Sequence, residues 1–296
     1  MIDRIFVDIE EGMNIQDHMP PASKIPSFIK TTNLSKEDLV ERMRSIFHQW
    51  HSGVHIGSDG NAGRTLEHLM GVPENNLSLP DFGDIELKTH MAGSNSLITL
   101  FHLEPSYPKA AVPLLIEKMG WPYKNNIHGP NEKSFRSTTK SNSFTDRGFS
   151  VSLSEKHIDF IFDIDKVQRH KKDRSGAFKT YGEWIDNVDD AIYDAFPIRW
   201  NKRTFINKCV EKLDQTLLVN CQSKDVMIDG VNTKHFIYTE AHMMKGFNEC
   251  KLHSLFDSGA LYIDFNARTS HNHGTSLRVK LSSVMKLFDE YEKINI

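Results

Sequence analysis

The sequence predicts an α/β or α+β fold, because segments with helical and strand patterns alternate along the chain. Apolar residues at helical spacing, such as Leu39, Met43 and Ile46, indicate amphipathic helices. Short apolar or alternating runs, such as residues 97–101 and 261–265, indicate strands. The chain has 296 residues and no internal repeat or long linker, so it can build one large domain or two lobes with a sizeable core.

The composition is typical of a soluble globular protein. Charged residues make up 25% of the chain and apolar residues 39%, and no apolar run approaches the roughly 20 residues that a membrane helix needs. The acidic N-terminus lacks a signal-peptide pattern, which favours a cytoplasmic protein without a membrane partner. Cys209, Cys221 and Cys250 lack paired CxxC spacing, so we interpret them as reduced thiols and not as a zinc site or disulfide framework.

The net charge of −3 does not exclude a nucleic-acid partner, because phosphate binding depends on local basic patches. An isolated charge run is more often a solvated face. The basic clusters in this chain are Lys133, Arg136 and Lys140; Lys166, Arg169, Lys171, Lys172 and Arg174; and Arg199, Lys202 and Arg203.

The first elements are predicted from helix-capping residues and from stripes of apolar residues at helical spacing. Residues 1–34, with a possible strand at 4–7, are expected to form a peripheral extension. A capping-box pattern at residues 35–38 starts a helix. Its predicted buried stripe consists of Leu39, Met43, Ile46, Phe47 and Trp50. Residues 53–63 are rich in Gly, Ser, Asp and Asn but lack a phosphate-loop signature, so we interpret them not as a nucleotide site but as a segment that allows a close backbone approach to a ligand. A helix at 65–70 follows.

The later elements are predicted by the same rules. Strands are expected at residues 97–101, 157–164, 217–220, 235–239 and 261–265, and helices at 111–119, 182–195, 202–215 and 282–292. The predicted buried stripes of two of these helices are Trp184, Ile185, Val188 and Ile192, and Phe205, Ile206, Val210 and Leu213. The strand at 97–101 is a candidate to pair beside the strand at 85–89.

Residues 63–90 contain the first pattern that indicates chemistry. Asp81 lies in a turn, and residues 85–89 have strand character. Because side chains alternate across a strand, Glu86 and Lys88 point to one face and the odd-numbered residues to the other. Two carboxylates and an ammonium group that converge suit a Mg²⁺ ion and an activated water. An acidic turn before a strand that ends in Lys is also common on protein surfaces, so this pattern alone leaves that alternative open.

The same segment resembles the catalytic core that the MutH mismatch-repair nickase shares with the MvaI/BcnI restriction endonucleases, both of the PD-(D/E)XK nuclease superfamily. The resemblance is carried by residues 63–71, 80–82 and 85–89. It implies a mixed β-sheet flanked by helices, with two lobes around a DNA cleft.

The resemblance also implies roles for individual residues. Asp81 and Glu86 are implied to be metal ligands for Mg²⁺, Lys88 the catalytic lysine, and Glu67 a supporting carboxylate on a helix. From the residues alone, Glu67 is as readily a solvated acid on a helix face. Asp84 falls on the same strand face as Glu86, so it could take or share the role of Asp81.

Residues 264–279 form the second informative pattern, with Arg, His and Asn on and between two short predicted strands. A His-x-His pair could hold zinc, but no Cys or third ligand lies at close spacing. The string His-Asn-His is not the dispersed motif of the HNH nucleases. Base readout is the third interpretation, because Arg can bind guanine and Asn can bind adenine in a major groove.

Two segments resemble DNA-contacting parts of the MvaI/BcnI enzymes. The His-x-His-Gly-Thr sequence followed by Arg278 resembles their C-terminal recognition segment. This implies that His271, His273 and Arg278 contact bases or approach the scissile phosphate, and Arg268 is assigned with them. The basic stretch 132–150, whose candidates are Arg136 and Lys140, resembles a matching segment and suits sugar–phosphate contacts. A surface hairpin is the alternative for that stretch.

Together these patterns predict a type II restriction endonuclease that makes Mg²⁺-dependent, sequence-specific cuts in double-stranded DNA. The resemblance implies a short CC…GG-like site, 5′-phosphate products, a monomeric enzyme in a prokaryotic cytoplasm, and a cognate DNA methyltransferase that protects the host. We expect a catalytic lobe at residues 35–165 and a DNA-recognition lobe at 166–296. The alternatives are a MutH-like repair nickase and a DNA-binding module that has lost catalysis; the intact Asp81, Glu86 and Lys88 argue against the second.

Overall fold

A computed structural model describes residues 36–55, 60–72, 80–123, 129 and 131–296. The predicted extension at residues 1–34, including the possible strand at 4–7, lies outside the described residues. Within the described ranges, the helices are all too short or too polar to cross a membrane.

Helices and strands alternate along the chain, as the sequence predicts. The helices are α1 (Lys36–Ile46), α2 (Asn61–Leu69), α3 (Ala111–Met119), α4 (Tyr181–Ile185), α5 (Lys202–Leu213), α6 (Glu249–Asp257) and α7 (Leu281–Val284), with 3₁₀ turns at Asp190–Ala195 and Met285–Leu287. The strands are β1 (Trp50–Ser52), β2 (Ile85–Met91), β3 (Ile98–His102), β4 (Trp121–Pro122), β5 (Lys133–Thr139), β6 (Arg147–Leu153), β7 (His157–Val167), β8 (Ile198–Asn201), β9 (Gln215–Ile228), β10 (Val231–Phe247), β11 (Leu261–Arg268), β12 (His271–Val279) and β13 (Phe288–Ile294).

The strands form three sheets. Sheet 1 has the order β1-β10-β9-β2, with β13 also paired to β10; sheet 2 has the order β3-β12-β11-β5-β4; sheet 3 has the order β6-β7-β8. The mixed α/β architecture with helices on the sheets therefore agrees with the predicted fold class.

Sheet 1 carries the strand that contains Glu86 and Lys88. β2 runs parallel to β9, with Lys88 opposite Leu218, and it lies at the end of the strand order of sheet 1. The odd-numbered residues of β2, such as Leu87, face a core that includes Leu39 of α1 and Leu66 of α2. The even-numbered residues therefore face the other side, where α5 lies close to β2 and β10.

Sheets 2 and 3 share a second core that is rich in aromatic residues. Phe135 of β5, Phe149 of β6, Phe160 of β7 and Phe265 of β11 are at most 1% exposed. The ring centroids of Phe160 and Phe265 are 4.7 Å apart, and those of Phe149 and Phe160 are 5.1 Å apart. Tightly packed rings of this kind hold the two sheets together.

Three local predictions fail, two of them because the chain leaves a helix earlier than the pattern indicates and the third because a residue inside a helix faces solvent. α1 ends at Ile46, and His48 has a positive φ of 61°, so Trp50 begins β1 and is 41% exposed instead of buried. The helix predicted at 182–195 ends at Ile185 and is followed by the 3₁₀ turn. Val210 is 46% exposed, although Phe205 of the same predicted stripe is buried.

Two predictions of strand arrangement are wrong for reasons of tertiary pairing. β3 does not pair with β2; it pairs with β12 in sheet 2. The closing helix predicted at 282–292 is replaced largely by β13, which pairs antiparallel with β10 from Phe288 opposite Phe247 to Ile294 opposite Ala241. A long-range strand partner here outweighs local helix propensity.

Strands from before and after residue 165, the proposed boundary between the lobes, pair with each other. β2 pairs with β9, and β5 pairs with β11, so sheets 1 and 2 each contain strands from both sides of that boundary. This pairing places the residues of 264–279 next to those of 132–150, as described below.

Candidate active site and DNA-binding face

The turn before β2 positions Asp81 beside the strand. Phe82 and Ile85 exchange two backbone hydrogen bonds of 2.9 Å, and Gly83 supplies the positive φ of 61° that this tight turn needs. The Leu87 amide donates a 3.0 Å hydrogen bond to Oδ2 of Asp81. Asp84 is exposed, so the carboxylate held against the strand is that of Asp81.

Glu86 is a buried carboxylate between two lysines. Its side chain is 1% exposed, and Lys88 donates a hydrogen bond to Oε1. Nζ of Lys212, at the end of α5, lies 3.0 Å from Oε2, although the geometry is that of an ion pair and not of a hydrogen bond. Burial raises the pKa of Glu86 above its usual value, and the two ammonium groups oppose that shift.

Glu67 completes the cluster from α2. Ala62, Thr65 and Leu66 are buried along this helix, and Glu67 lies at the margin of their face. Burial raises the pKa of Glu67, and the neighbouring Asp81 carboxylate adds to this shift, while Lys88 opposes it. The structure thus brings Glu67, Asp81, Glu86 and Lys88 into one electrostatic cluster.

The donor groups of this cluster suit a hard cation. In the described ranges, no group of three or more His, Cys, Asp and Glu side chains is close enough to hold a metal ion by itself. Mg²⁺ does not need such a group, because it is usually bound by one or two carboxylates, with water and phosphate oxygens as its other ligands. Asp81 and Glu86 match this requirement, and Oε2 of Glu86 is buried without a hydrogen-bond donor.

Two residues near the cluster were not predicted from the sequence. The sequence predicts the helix of Lys212 from its apolar spacing alone. The only indication of a role for Lys212 is that it is a basic residue in the last turn of that helix. His102 ends β3; partial burial lowers the pKa of its imidazole, and the Lys88 ammonium lowers it further, although part of the residue is exposed. Asp264 of β11 also influences this pKa, so His102, at the end of the β3 strand of sheet 2, lies near both the cluster and β11.

One face of sheet 2 carries arginines from two of the predicted DNA-binding segments. The strand register places Arg136 opposite Asn266 and Arg278 opposite Tyr262 on the face that is not part of the core. Nη1 of Arg278 donates a 2.7 Å hydrogen bond to Oδ2 of Asp264, and Nη2 donates one of 3.1 Å to the Leu97 carbonyl. These bonds fix the guanidinium in one orientation.

The tip of the β11–β12 hairpin brings the other candidates to Arg136. Arg268 donates a 3.0 Å hydrogen bond to Glu132, and the rings of His271 and His273 meet edge to face at 4.2 Å. Partial burial lowers the pKa of His273, and His271, Arg136 and Arg268 lower it further. Positive or polar groups from β5, β11 and β12 therefore form one patch.

Lys140 lies apart from this patch. It follows the last residue of β5 and forms an isolated bridge with Ser143. The predicted DNA contacts thus comprise the hairpin patch, Arg278 in mid-sheet and Lys140 at the other end of β5.

Comparison with known proteins decides the family. A family model described as the MvaI/BcnI restriction endonuclease family matches residues 40–288. The chain belongs to this family. It is therefore a restriction endonuclease, and the MvaI/BcnI resemblance drawn from its sequence is confirmed.

Solved structures of MvaI are similar to this member of the MvaI/BcnI family. The restriction endonuclease MvaI in complex with its cognate DNA substrate has 20% sequence identity and a TM-score of 0.66, over 87% of this chain and 97% of that chain. MvaI in the absence of DNA has 20% identity and a TM-score of 0.45, over 90% of this chain and 100% of that chain. No curated protein sequence matches the chain.

Proposed function

We propose that this protein cuts double-stranded DNA at a specific sequence by Mg²⁺-dependent hydrolysis of a phosphodiester bond. The observation that supports this most directly is the convergence of Asp81, Glu86 and Lys88 at the edge of sheet 1. The fold of MvaI, whose structure is a complex with its cognate DNA substrate, supports duplex DNA as the partner.

Asp81 and Glu86 are the proposed metal ligands. A bound Mg²⁺ would polarise the phosphate and lower the pKa of a water molecule. Lys88 would donate hydrogen bonds to the attacking water or the phosphate, and so orient the attack on phosphorus. The water oxygen would bond to phosphorus as the bond to the 3′ oxygen breaks, so that the 3′ oxygen takes up a proton and leaves as a 3′-hydroxyl, with a 5′-phosphate on the other fragment. Glu67 would help to hold water beside Asp81, because its carboxylate belongs to the same cluster.

Lys212 would position the Glu86 carboxylate during this reaction. Its ammonium group lies 3.0 Å from Oε2 of Glu86, in a site where Glu86 is almost fully buried. A second cation offsets part of the cost of a buried carboxylate and limits its rotation. Because Lys212 belongs to α5, its ion pair with Glu86 also links the cluster to that helix.

Sheet 2 would bind the DNA. Arg136 and Lys140 are suited to sugar–phosphate contacts, and Arg268, Arg278 and the pair His271 and His273 to base edges. A short CC…GG-like site fits guanidinium groups that bind guanine. We further propose that the enzyme acts as a monomer in a prokaryotic cytoplasm, and that a methyltransferase of the same system protects the host DNA.

Cleavage of unmethylated phage DNA by the purified protein in Mg²⁺ tests this function. We expect discrete fragments with 5′-phosphate ends, and a loss of at least about 100-fold in rate for Lys88→Ala, because the variant lacks the ammonium beside Glu86. The sequences of the fragment ends give the site. Cleavage that is equally fast in the variant, or nicking that requires added repair proteins, contradicts the proposal.

A further inference from the structure

The hairpin of β9 and β10 extends well beyond the catalytic strand. Pairing between β2 and β9 ends at Met91 opposite Cys221, but β9 continues to Ile228 and β10 returns from Val231. At about 3.3 Å per residue, the extension beyond Cys221 is about 20 Å long. We call residues 222–235 the arm.

One face of the arm continues the face that carries Glu86 and Lys88. Lys88 is opposite Leu218 in the strand register. Alternation from Leu218 then places every second residue of β9 on that face. These residues and their β10 partners are Gln222, Lys224, Val226, Ile228, Val231, Thr233, His235 and Ile237.

The charges of the arm are separated between its two faces. On the catalytic side, Lys224 places its ammonium 4.1 Å from the ring centroid of Trp50, and His235 is opposite Lys224. On the other side, Lys234 lies 3.7 Å from Asp225 and is partly neutralised. Residues 222–228 and 231–235 place no Asp or Glu on the catalytic side, and Glu240, opposite Asn220 on the same face, is paired with Lys293, so that side of the arm is cationic.

The same side is exposed and partly apolar. Trp50 is 41% exposed, Ile228 43% and Val231 46%. A cation beside exposed apolar groups and hydroxyl or amide side chains matches the sugar–phosphate backbone of a duplex, which offers phosphate charge and deoxyribose surface together.

We propose that the arm is a second DNA contact, which binds the duplex backbone beside the cleavage point and outside the patch on sheet 2. Because a duplex rises 3.4 Å per base pair, a 20 Å arm reaches along about six base pairs. The contact is with phosphate and sugar and does not depend on sequence. The proposal rests on the proposed function only in taking duplex DNA as the partner.

Tryptophan fluorescence gives a direct test in the unmodified protein. Of the four tryptophans, Trp121, Trp184 and Trp200 are at most 5% exposed, so acrylamide quenching reports mainly on Trp50. We expect a long random-sequence duplex to reduce this quenching, and Trp50→Phe to remove most of the signal. Unchanged quenching when the DNA is fully bound overturns the proposal.

A pair of lysine variants tests the charge. Lys224→Gln is expected to reduce the slope of log affinity against log salt by about 0.9, because one phosphate contact is lost. Lys234→Gln, on the opposite face, is the matched control and is expected to leave the slope unchanged. Equal effects of the two variants contradict a one-sided contact.

A shortened arm tests the tip independently of charge. Deletion of residues 226–228 and 231–233 joins Asp225 to Asp229 and Gly230 to Lys234, and it keeps the turn and the register of the remaining pairs. We expect weaker binding to the long duplex at an unchanged melting temperature. Unchanged binding by a folded variant overturns the proposal. Cleavage is measured separately, so a protein that binds through the arm but does not cut refutes only the proposed function.

Discussion

At the scale of single residues, the buried Glu86 carboxylate is costly to ionise in the free protein but well placed to bind a cation. A carboxylate that is 1% exposed is disfavoured in its charged form, and burial raises its pKa even though Lys88 and Lys212 both lie against it. A charged ligand that is poorly solvated in this way is well suited to a cation. Removal of either lysine should therefore change the site more than its overall fold.

Lys212→Met is expected to reduce cleavage by about 10- to 100-fold, a range found when groups that orient metal ligands are removed. The effect should include a higher Mg²⁺ requirement, because the Glu86 carboxylate is no longer held. Lys212→Arg should restore part of the activity, since it keeps a cation at that position. A purely structural role predicts instead that both variants lower the melting temperature and leave the Mg²⁺ requirement unchanged.

Glu67→Gln is expected to stabilise the protein while it lowers cleavage. Burial and the Asp81 carboxylate raise the folded-state pKa of Glu67 above its unfolded value. The ionised form is therefore destabilising, and this loss is absent below the unfolded pKa and grows as pH rises through the folded pKa.

Thermal melting across pH checks this prediction. The variant should melt above wild type at neutral pH, and the two should converge in acid. A melting temperature that is lower than wild type at neutral pH would show that the Glu67 carboxylate is net stabilising.

At the scale of elements, sheet 2 separates two kinds of proposed DNA contact. Arg278 is held in mid-sheet by Asp264 and the Leu97 carbonyl, while Lys140 lies at the end of β5 without such a clamp. A guanidinium with one orientation can discriminate between bases, whereas a flexible ammonium is better suited to phosphate.

Arg278→Ala should relax specificity, and Lys140→Ala should not. Loss of a base-reading arginine costs about 1–3 kcal/mol at one position, so discrimination against one substituted base pair should fall about 5- to 150-fold. Lys140→Ala should weaken binding to all sequences alike. Cleavage rates on the cognate site and on its single substitutions measure both effects, and equal loss on every sequence for Arg278→Ala would assign it to the backbone.

At the scale of the whole molecule, Arg147 joins the sheets. Its side chain is 8% exposed, lies 2.8 Å from the buried Asp173, and stacks 3.9 Å from the Trp121 ring of sheet 2 and 4.6 Å from the Trp184 ring of α4. Burial lowers the pKa of the guanidinium, and Asp173 opposes that shift. The pair and its aromatic neighbours thus link sheet 3 to sheet 2.

Arg147→Met is expected to destabilise the fold by about 3–5 kcal/mol, because it leaves Asp173 buried without its cation. The double variant with Asp173→Asn should recover part of this loss. Denaturant titration measures both free energies of unfolding. A loss below about 1 kcal/mol for the single variant would show that Asp173 is satisfied by its other donors, Ser175 and Phe178.

Local patterns in the sequence predicted several elements correctly, together with the strand faces on which the candidate site residues lie. The pattern for α3 matches the observed bounds, and the alternation of β2 places Leu87 in the core and Glu86 with Lys88 on the other face. These features depend on periodicity and on short-range turn geometry, which a sequence states directly. The family resemblance was equally readable, because its motifs are contiguous.

Strand pairing and the contacts between distant residues are properties of the tertiary structure. β3 joins β12 and not β2, and residues 288–294 become a strand because β10 offers them a partner. Lys212 reaches Glu86, and the Leu97 carbonyl holds Arg278, through contacts between segments far apart in the chain. Strand pairing and ion pairs of this kind depend on the relative positions of whole elements, and local patterns do not carry that information.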